Sequence, residues 1–324
     1  MTVFRKAERR KAKLRLAIDG PSGSGKTLSA LLIAHGITGD WSKIAVIDTE
    51  RGSGDLYHGT KIPGTADEIG DYLIVTMEPP FSPQAYSEMI WAAEKEDIAV
   101  LIIDSLSHAW SGAGGALDMV DQAAKAKRSG GNQFAAWRDV TPHHNQMIDS
   151  IIGAPFHVIV TMRTKVAYEI QENDRGKKAP VKIGMAPEQR AGVEYEFTAV
   201  LDLSVEGHVA VSSKDRTQLF DGNPHVPTQD TGRRLRDWLE RGRDVAAEAI
   251  ALMQAASDDD IIKEIHSTYK DQAKREGWLP RLLDAAKSRH SELAGSDGVA
   301  ALPPAADAGA PGEPDPASND EGVK

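Results

Sequence analysis

The sequence predicts an α/β protein: a doubly covered, mainly parallel sheet with an edge hairpin, followed by a small helical C-terminal region and a disordered tail. Three observations predict it. Apolar strand-like runs alternate with segments of helical periodicity as far as Thr161. The run Ile98–Ile103 is apolar throughout, as a strand covered on both faces requires. From Thr231 onward the pattern is helical only.

The elements follow in order. Leu14 to Asp19 alternates apolar and polar residues into a glycine-rich turn, and Leu28 to His35 repeats apolar residues at helical spacing, which reads as strand, loop and helix. Ile44 to Ile47 is a β-branched run ending in Asp48, a buried parallel strand. Tyr72 to Val75 reads as a further short strand, and Pro83 opens a helical pattern that runs to Glu96. After a glycine-rich stretch, Trp137 to Ile152 is helical and Phe156 to Thr161 is the next apolar strand. Phe197–Val205 and His208–Ser212 flank Glu206-Gly207, a hairpin for the sheet's edge. Helices follow over Thr231–Arg241, Asp244–Ala255, Asp258–Glu276 and Leu279–Leu293, with Asp258 and Asp259 as candidate N-caps and Gly277 as a stop. Trp238, Leu239 and Trp278 lie on apolar helical stripes and are read as packing residues. These elements divide the chain into an arm over 1–11, a core over 12–225, a helical region over 226–294 and a tail over 295–324.

Composition excludes several classes. The chain has 324 residues and no cysteine, so disulfides, zinc thiolates and cysteine nucleophiles are out, and a reducing, cytoplasmic compartment is expected. No apolar run approaches the roughly 18 residues a spanning helix needs, and the charged first residues do not read as a signal peptide. No membrane partner is expected. The net charge of -10 looks unsuited to a nucleic-acid partner, but it is unevenly distributed. Residues 1–15 hold seven basic side chains against Glu8, and residues 295–324 hold six acids against Lys324. The acidic, aromatic-free tail is expected to be disordered; both ends read either as solubilising termini or as parts of DNA contact and its regulation.

Gly20-Pro21-Ser22-Gly23-Ser24-Gly25-Lys26-Thr27 fulfils G-x-x-x-x-G-K-[ST] between a strand and a helix that continues with Leu28. Glycines let consecutive backbone N–H groups turn inward on a phosphate, and the helix N-terminus adds positive potential. Lys26 is expected on the β- and γ-phosphates of ATP and Thr27 on Mg2+. Asp104 ends the central strand and is the candidate second magnesium residue, against the plainer reading of a strand-end cap. The next residue is Ser105, so no adjacent glutamate can activate water. Asp48-Thr49-Glu50 brings Glu50 to the same edge as candidate base, against a solvent-facing loop acid. His143-His144 reads as a surface pair rather than a metal site, having no third ligand.

These residues resemble the RecA-like ATPases, in which one strand ends Asp-x-Glu and the next acidic strand ends Asp-Ser. Here those are Asp48-Thr49-Glu50 and Asp104-Ser105. Lys214-Asp215-Arg216 is similar to the Lys-x-Arg finger that such proteins insert into a neighbour's site, or is a solvated turn. The resemblance spans about residues 12–222 and is nearest to phage Sak-type (AAA_24) single-strand annealing ATPases. Where RecA carries an Asn-Gln sensor pair, this chain has Met162-Arg163, with Arg163 or Thr161 as substitutes. The resemblance implies a magnesium-dependent, DNA-stimulated ATP hydrolase that binds single-stranded DNA in phage recombination, in the host cytoplasm. It implies a ring or filament of copies, and a single-strand-binding protein is a further candidate partner.

RecA-like proteins hold DNA on two mobile loops, which correspond to Ser111–Gln133 and Arg163–Arg190. The first contains Lys125, Lys127 and Arg128; the second contains Arg163, Lys165, Arg175, Lys177, Lys178, Lys182 and Arg190 against four acids, with Tyr168 available to stack on a base. Solvated surface loops are the alternative. A small-molecule kinase, whose basic segment would be a lid, and a nucleotide-dependent assembly or switch module in replication or packaging remain open as functions.

Overall fold

The computed structural model describes residues 6–126, 133–172 and 178–296. Its strands are β1 (Arg15–Gly20), β2 (Ile44–Asp48), β3 (Leu73–Thr76), β4 (Val100–Asp104), β5 (His157–Glu172), β6 (Lys178–Pro187), β7 (Ala199–Leu203) and β8 (Ala210–Asp215). The helices are α1 (Lys26–Thr38), α2 (Pro83–Ala93), α3 (His108–Ser111), α4 (Ala116–Ala126), α5 (Gln133–Gly153), α6 (Gln229–Glu240), α7 (Val245–Gln254), α8 (Asp259–Arg275) and α9 (Leu279–Ser296). The sheet order is β3-β2-β4-β5-β1-β7-β8, and β6 pairs with the outer part of β5. Strands β3 through β7 in that order run parallel, and β8 turns back antiparallel on β7 at the edge, as the sequence predicts.

Alternation along each strand supplies two cores. Leu16, Ile18, Val46, Ile102, Ile159 and Leu201 face α1 and α6, with Leu31, Ile33 and Leu235. Ala17, Ile47, Leu101, Ile103, Val158 and Val160 face α2 and α5, with Tyr86, Ile90, Met147 and Ile151. Successive residues therefore serve opposite layers, which is why these strands carry unbroken apolar runs. Each fully buried leucine or isoleucine contributes about 1.5–3 kcal/mol of transfer free energy. Arg15 is buried at the bottom of the sheet and donates to the carbonyls of Ile152, Ala154 and Phe156, closing the C-terminal end of α5. Burial lowers its pKa only to about 10, so it remains a cation there.

Helix α6 departs from the expected grouping with the C-terminal helices, because it lies on α1 at backbone contact. A Cβ on Gly36 would sit 2.0 Å from the Gln229 carbonyl oxygen, and one on Gly232 would sit 2.1 Å from that of Ile33. Helices α7 to α9 enclose their own core of Ala249, Met253, Ala273, Trp278 and Leu282. Asp258 caps α8 by accepting from the backbone N–H groups of Asp260 and Ile261, each at 3.0 Å.

Three further expectations are corrected. Ser111–Gln133 is not a loop throughout: it carries α4, whose Ala116 and Val120 pack on Ala136 and Val140 of α5. Within Arg163–Arg190 the described residues are an antiparallel ladder, because β5 runs on past the sheet and pairs with β6 from Thr164↔Pro187 to Glu172↔Lys178. His144 is 3% exposed, inside the α5 packing face, and its Nε2 meets Gln189 Oε1 at 3.0 Å. The arm is also partly docked: Arg9 donates to the Trp238 carbonyl and stacks over its ring at 4.4 Å, and Lys11 N–H donates to the Arg243 carbonyl. Lys127, Arg128, Arg175, Lys177 and nearly all of the acidic tail lie outside the described residues.

Candidate nucleotide site

The parallel strands end together, and their C-terminal edge gathers the candidate residues. Gly20 ends β1, Asp48 and Asp104 are register partners at the ends of β2 and β4, and Thr161 lies on β5 beside them. Gly25 caps α1 in the left-handed region at φ +87°, a conformation that favours glycine at the point where the loop becomes helix. Its missing side chain also leaves space for His208 of the β7–β8 turn, whose Nδ1 is 3.0 Å from the Ser24 carbonyl oxygen. The edge hairpin thus braces the phosphate loop. Lys26 Nζ donates to the carbonyls of Gly20 and Pro21, both at 2.9 Å. Burial lowers the Lys26 pKa, and the charges of Asp104 and Glu50 act in the opposite sense.

Asp104 is 4% exposed, and each of its carboxylate oxygens accepts one hydroxyl. Thr27 donates to Oδ2 at 2.6 Å and Thr161 to Oδ1. Burial pushes the Asp104 pKa up, and the two hydroxyls pull it back down. A buried carboxylate beside a helix-start threonine supplies oxygen ligands of the kind a hard divalent cation such as Mg2+ takes. The loop fits a polyphosphate: Lys26 is tied to loop carbonyls that anionic oxygens can replace, and the buried Ser24 Oγ has no hydrogen-bond partner among the described residues.

Asp48-Thr49-Glu50 divides its work by residue. Asp48 accepts from the backbone N–H of Glu50 at 2.5 Å and of Gly54 at 3.1 Å, which folds the chain after β2 into a tight turn through Arg51 and Gly52, both at positive φ. Thr49 N–H donates to the Asp104 carbonyl at 2.7 Å, and Thr49 Oγ1 accepts from Ser105 N–H at 2.9 Å, joining the ends of β2 and β4. His108 Nδ1 is also 2.6 Å from that hydroxyl. Glu50 is left at the edge with its side chain about one-third exposed, and Arg163 donates to its Oε1 from Nη2 at 2.7 Å and Nε at 3.1 Å.

Other candidates lie elsewhere. Lys214 and Arg216 are at the far end of β8, beside Ala199 at the start of β7 and therefore at the opposite edge from their own phosphate loop. Lys214 Nζ donates to the carbonyls of Glu194 and Tyr195, and Arg216 Nη2 donates to that of Tyr195. Lys125 is exposed on α4 and Lys165 is exposed at the foot of the hairpin; of Lys178 only the backbone is described. Motif reading gave no role to Thr49, Ser107, His108 or His208. Their signal is position: three follow motif acids closely, and His208 opens the second strand of the predicted hairpin, next to its turn. Asp19 was also given no role; it is buried, its Oδ1 has no hydrogen-bond partner among the described residues, and desolvation, with Asp202 and Glu194 nearby, raises its pKa to about 8.

Among the described residues no helix is long and apolar enough to cross a membrane. No curated protein matches the chain. The phosphate loop after β1, the buried acid of β4 two strands away and the edge hairpin all fall within residues 12–232, which match the family model AAA_24, an AAA domain. The chain is a member of that family of P-loop ATPases.

Proposed function

We propose that the protein is a magnesium-dependent ATP hydrolase, stimulated by single-stranded DNA, that promotes annealing or strand exchange as an oligomer. The observation that carries this reading is the convergence of Lys26, Thr27, Asp104 and Glu50 on one sheet edge, from which β5 continues outward as a hairpin. Backbone N–H groups from Gly23 to Leu28 bind the phosphates, and Lys26 exchanges its loop carbonyls for β- and γ-phosphate oxygens. Thr27 and Asp104 hold the magnesium ion, which when bound neutralises charge on the phosphate oxygens. Glu50 orients the attacking water and takes its proton.

Lys214 and Arg216 point to assembly. They sit at the edge opposite their own loop, so a role in stabilising phosphoryl charge requires a neighbouring copy. Arg–phosphate contacts of this kind are worth about 10³–10⁵ in rate. Lys165 at the start of the β5–β6 ladder and Lys125 on α4, both exposed, are the described basic residues offered to a DNA backbone. The resemblance to Sak-type proteins supports phage recombination in the host cytoplasm as the setting, and the compact α7–α9 unit offers a surface for a single-strand-binding protein.

ATP turnover with and without a single-stranded oligonucleotide, paired with binding at two salt concentrations, tests the reading. DNA-stimulated turnover and binding that weakens with salt are expected. Turnover indifferent to DNA, with no salt-sensitive binding, would overturn the DNA role; phosphate transfer to a small acceptor would make the protein a kinase.

A further inference from the structure

Given the reading of the phosphate loop as the ATP site, we infer that His208, which lies outside the loop's own motif, is a positioning residue for it. Its imidazole holds the Ser24–Gly25 limb in the shape that receives a polyphosphate. Such a loop binds through consecutive backbone N–H groups, so its affinity depends on their converging before the ligand arrives. Gly20, Gly23 and Gly25 allow the turns this needs, but glycine has more backbone freedom to lose than any other residue. The edge hairpin supplies the stiffness that the loop's composition does not.

The hairpin touches the loop at both ends. At the start, a Cβ on Gly20 would be 2.8 Å from the Leu203 carbonyl oxygen, at the end of β7. At the other end the His208 ring lies against Gly25, where a Cβ would be 3.3 Å from Nδ1 and 3.6 Å from Cγ. His208 Nδ1 is 3.0 Å from the Ser24 carbonyl oxygen, and because a carbonyl only accepts, Nδ1 carries the proton and donates. The Ser24 carbonyl and the Gly25 N–H belong to one planar trans peptide and point in opposite directions. Fastening the carbonyl to His208 therefore turns the Gly25 N–H away from the hairpin, as one of the N–H groups proposed to meet phosphate. The loop's own hold on this limb is weaker: Ser24 N–H reaches the Pro21 carbonyl at 3.3 Å. The brace is firmly built in turn. Ser204 N–H donates to the Val209 carbonyl at 3.0 Å, and Ser204 Oγ donates to that of Glu206 at 2.7 Å. Gly207 and His208 follow at positive φ, 68° and 52°, which aims the imidazole back at the loop although its outer side stays exposed.

The test measures binding of a fluorescent ATP analogue to the full-length protein, its displacement by inorganic tripolyphosphate, and steady-state turnover. His208→Gly suits the left-handed backbone but removes the donor. It is expected to weaken both ligands about three- to tenfold, the range of one hydrogen bond. Its kcat at saturating ATP is expected to stay within about twofold of wild type, so that the loss appears in KM. His208→Asn also tolerates this backbone and carries an amide N–H at about the place of Nδ1, and is expected to bind within about 1.5-fold of wild type. His208→Gln moves the donor one carbon further out and is expected to bind about as weakly as His208→Gly, for which it substitutes if the glycine variant does not fold. Wild-type affinity in His208→Gly or His208→Gln overturns the inference, as does a loss in His208→Asn as large as in His208→Gly. Lys26→Ala is measured alongside. If it binds ATP as wild type does, the reading of the loop as the ATP site fails; if it loses binding while His208→Gly keeps it, only the brace by His208 fails.

Discussion

Asp104 and Glu50 sit at the same sheet edge yet are held in opposite ways. Asp104 is 4% exposed, and both its oxygens are occupied by hydroxyls from α1 and β5. Glu50 is about one-third exposed at its side chain, its recorded partner is a single arginine, and its backbone rests on a turn built by Asp48. The difference suits the two tasks proposed for them. A cation site gains from a rigid ring of oxygens arranged before the ion arrives. A residue that handles a water must be free to release one partner and take another.

The largest effect is expected on the rigid side. Asp104→Asn removes the buried charge proposed for magnesium, and turnover is expected to fall about 10³-fold, with a raised magnesium requirement in a metal titration. Wild-type activity at ordinary magnesium would assign the ion elsewhere. On the adjustable side, Glu50→Gln is expected to lose about 10²- to 10³-fold in kcat while still binding ATP, measured with a fluorescent nucleotide. Parallel loss of binding would make Glu50 part of the cation site and erase the contrast. Thr161→Val removes one hydroxyl from Asp104 without touching Glu50, and about a tenfold loss in kcat/KM is expected. If the loss tracks DNA instead of magnesium, β5 serves both halves.

The smallest effect concerns Asp19, which is buried like Asp104 but has one oxygen with no hydrogen-bond partner among the described residues. Its pKa is raised from the ordinary 3.8 to about 8, so between those values the folded protein binds the extra proton. Its contribution to stability is therefore full below about pH 4 and lost as pH rises through about 8. Asp19→Asn is expected to gain a few degrees in Tm over wild type at pH 8, and less at pH 5, in paired thermal melts. An equal shift at both pH values would mean that Asp19 is ionised throughout.

The rigid half was largely readable from sequence and the adjustable half was not. The phosphate loop and Asp104 announce themselves through local spacing and an apolar strand. Glu50 was legible as a residue but not in its partner, because Arg163 is 113 positions away and no local pattern encodes that contact. The resemblance to RecA-like proteins implies a mobile loop over Arg163–Arg190, although Val166, Tyr168 and Ile170 already alternate as a strand would. The helix α6 was assigned by its place among helices, whereas Gly36 and Gly232, the glycines that let it touch α1, lie 196 positions apart.

If Lys214 and Arg216 act on a neighbouring copy's phosphate loop, as proposed, their position also determines how many sites in an assembly are complete. A contact joining one copy's finger edge to another's loop edge is head-to-tail, so it either closes as a ring or continues as a helix. In a closed ring every loop has a neighbour's cations opposite it. In an open chain one terminal loop always lacks them, and the shortfall weighs most on the shortest chains. Turnover per protomer then climbs with protein concentration as chains lengthen, whereas a ring of fixed size gives a constant value once assembled.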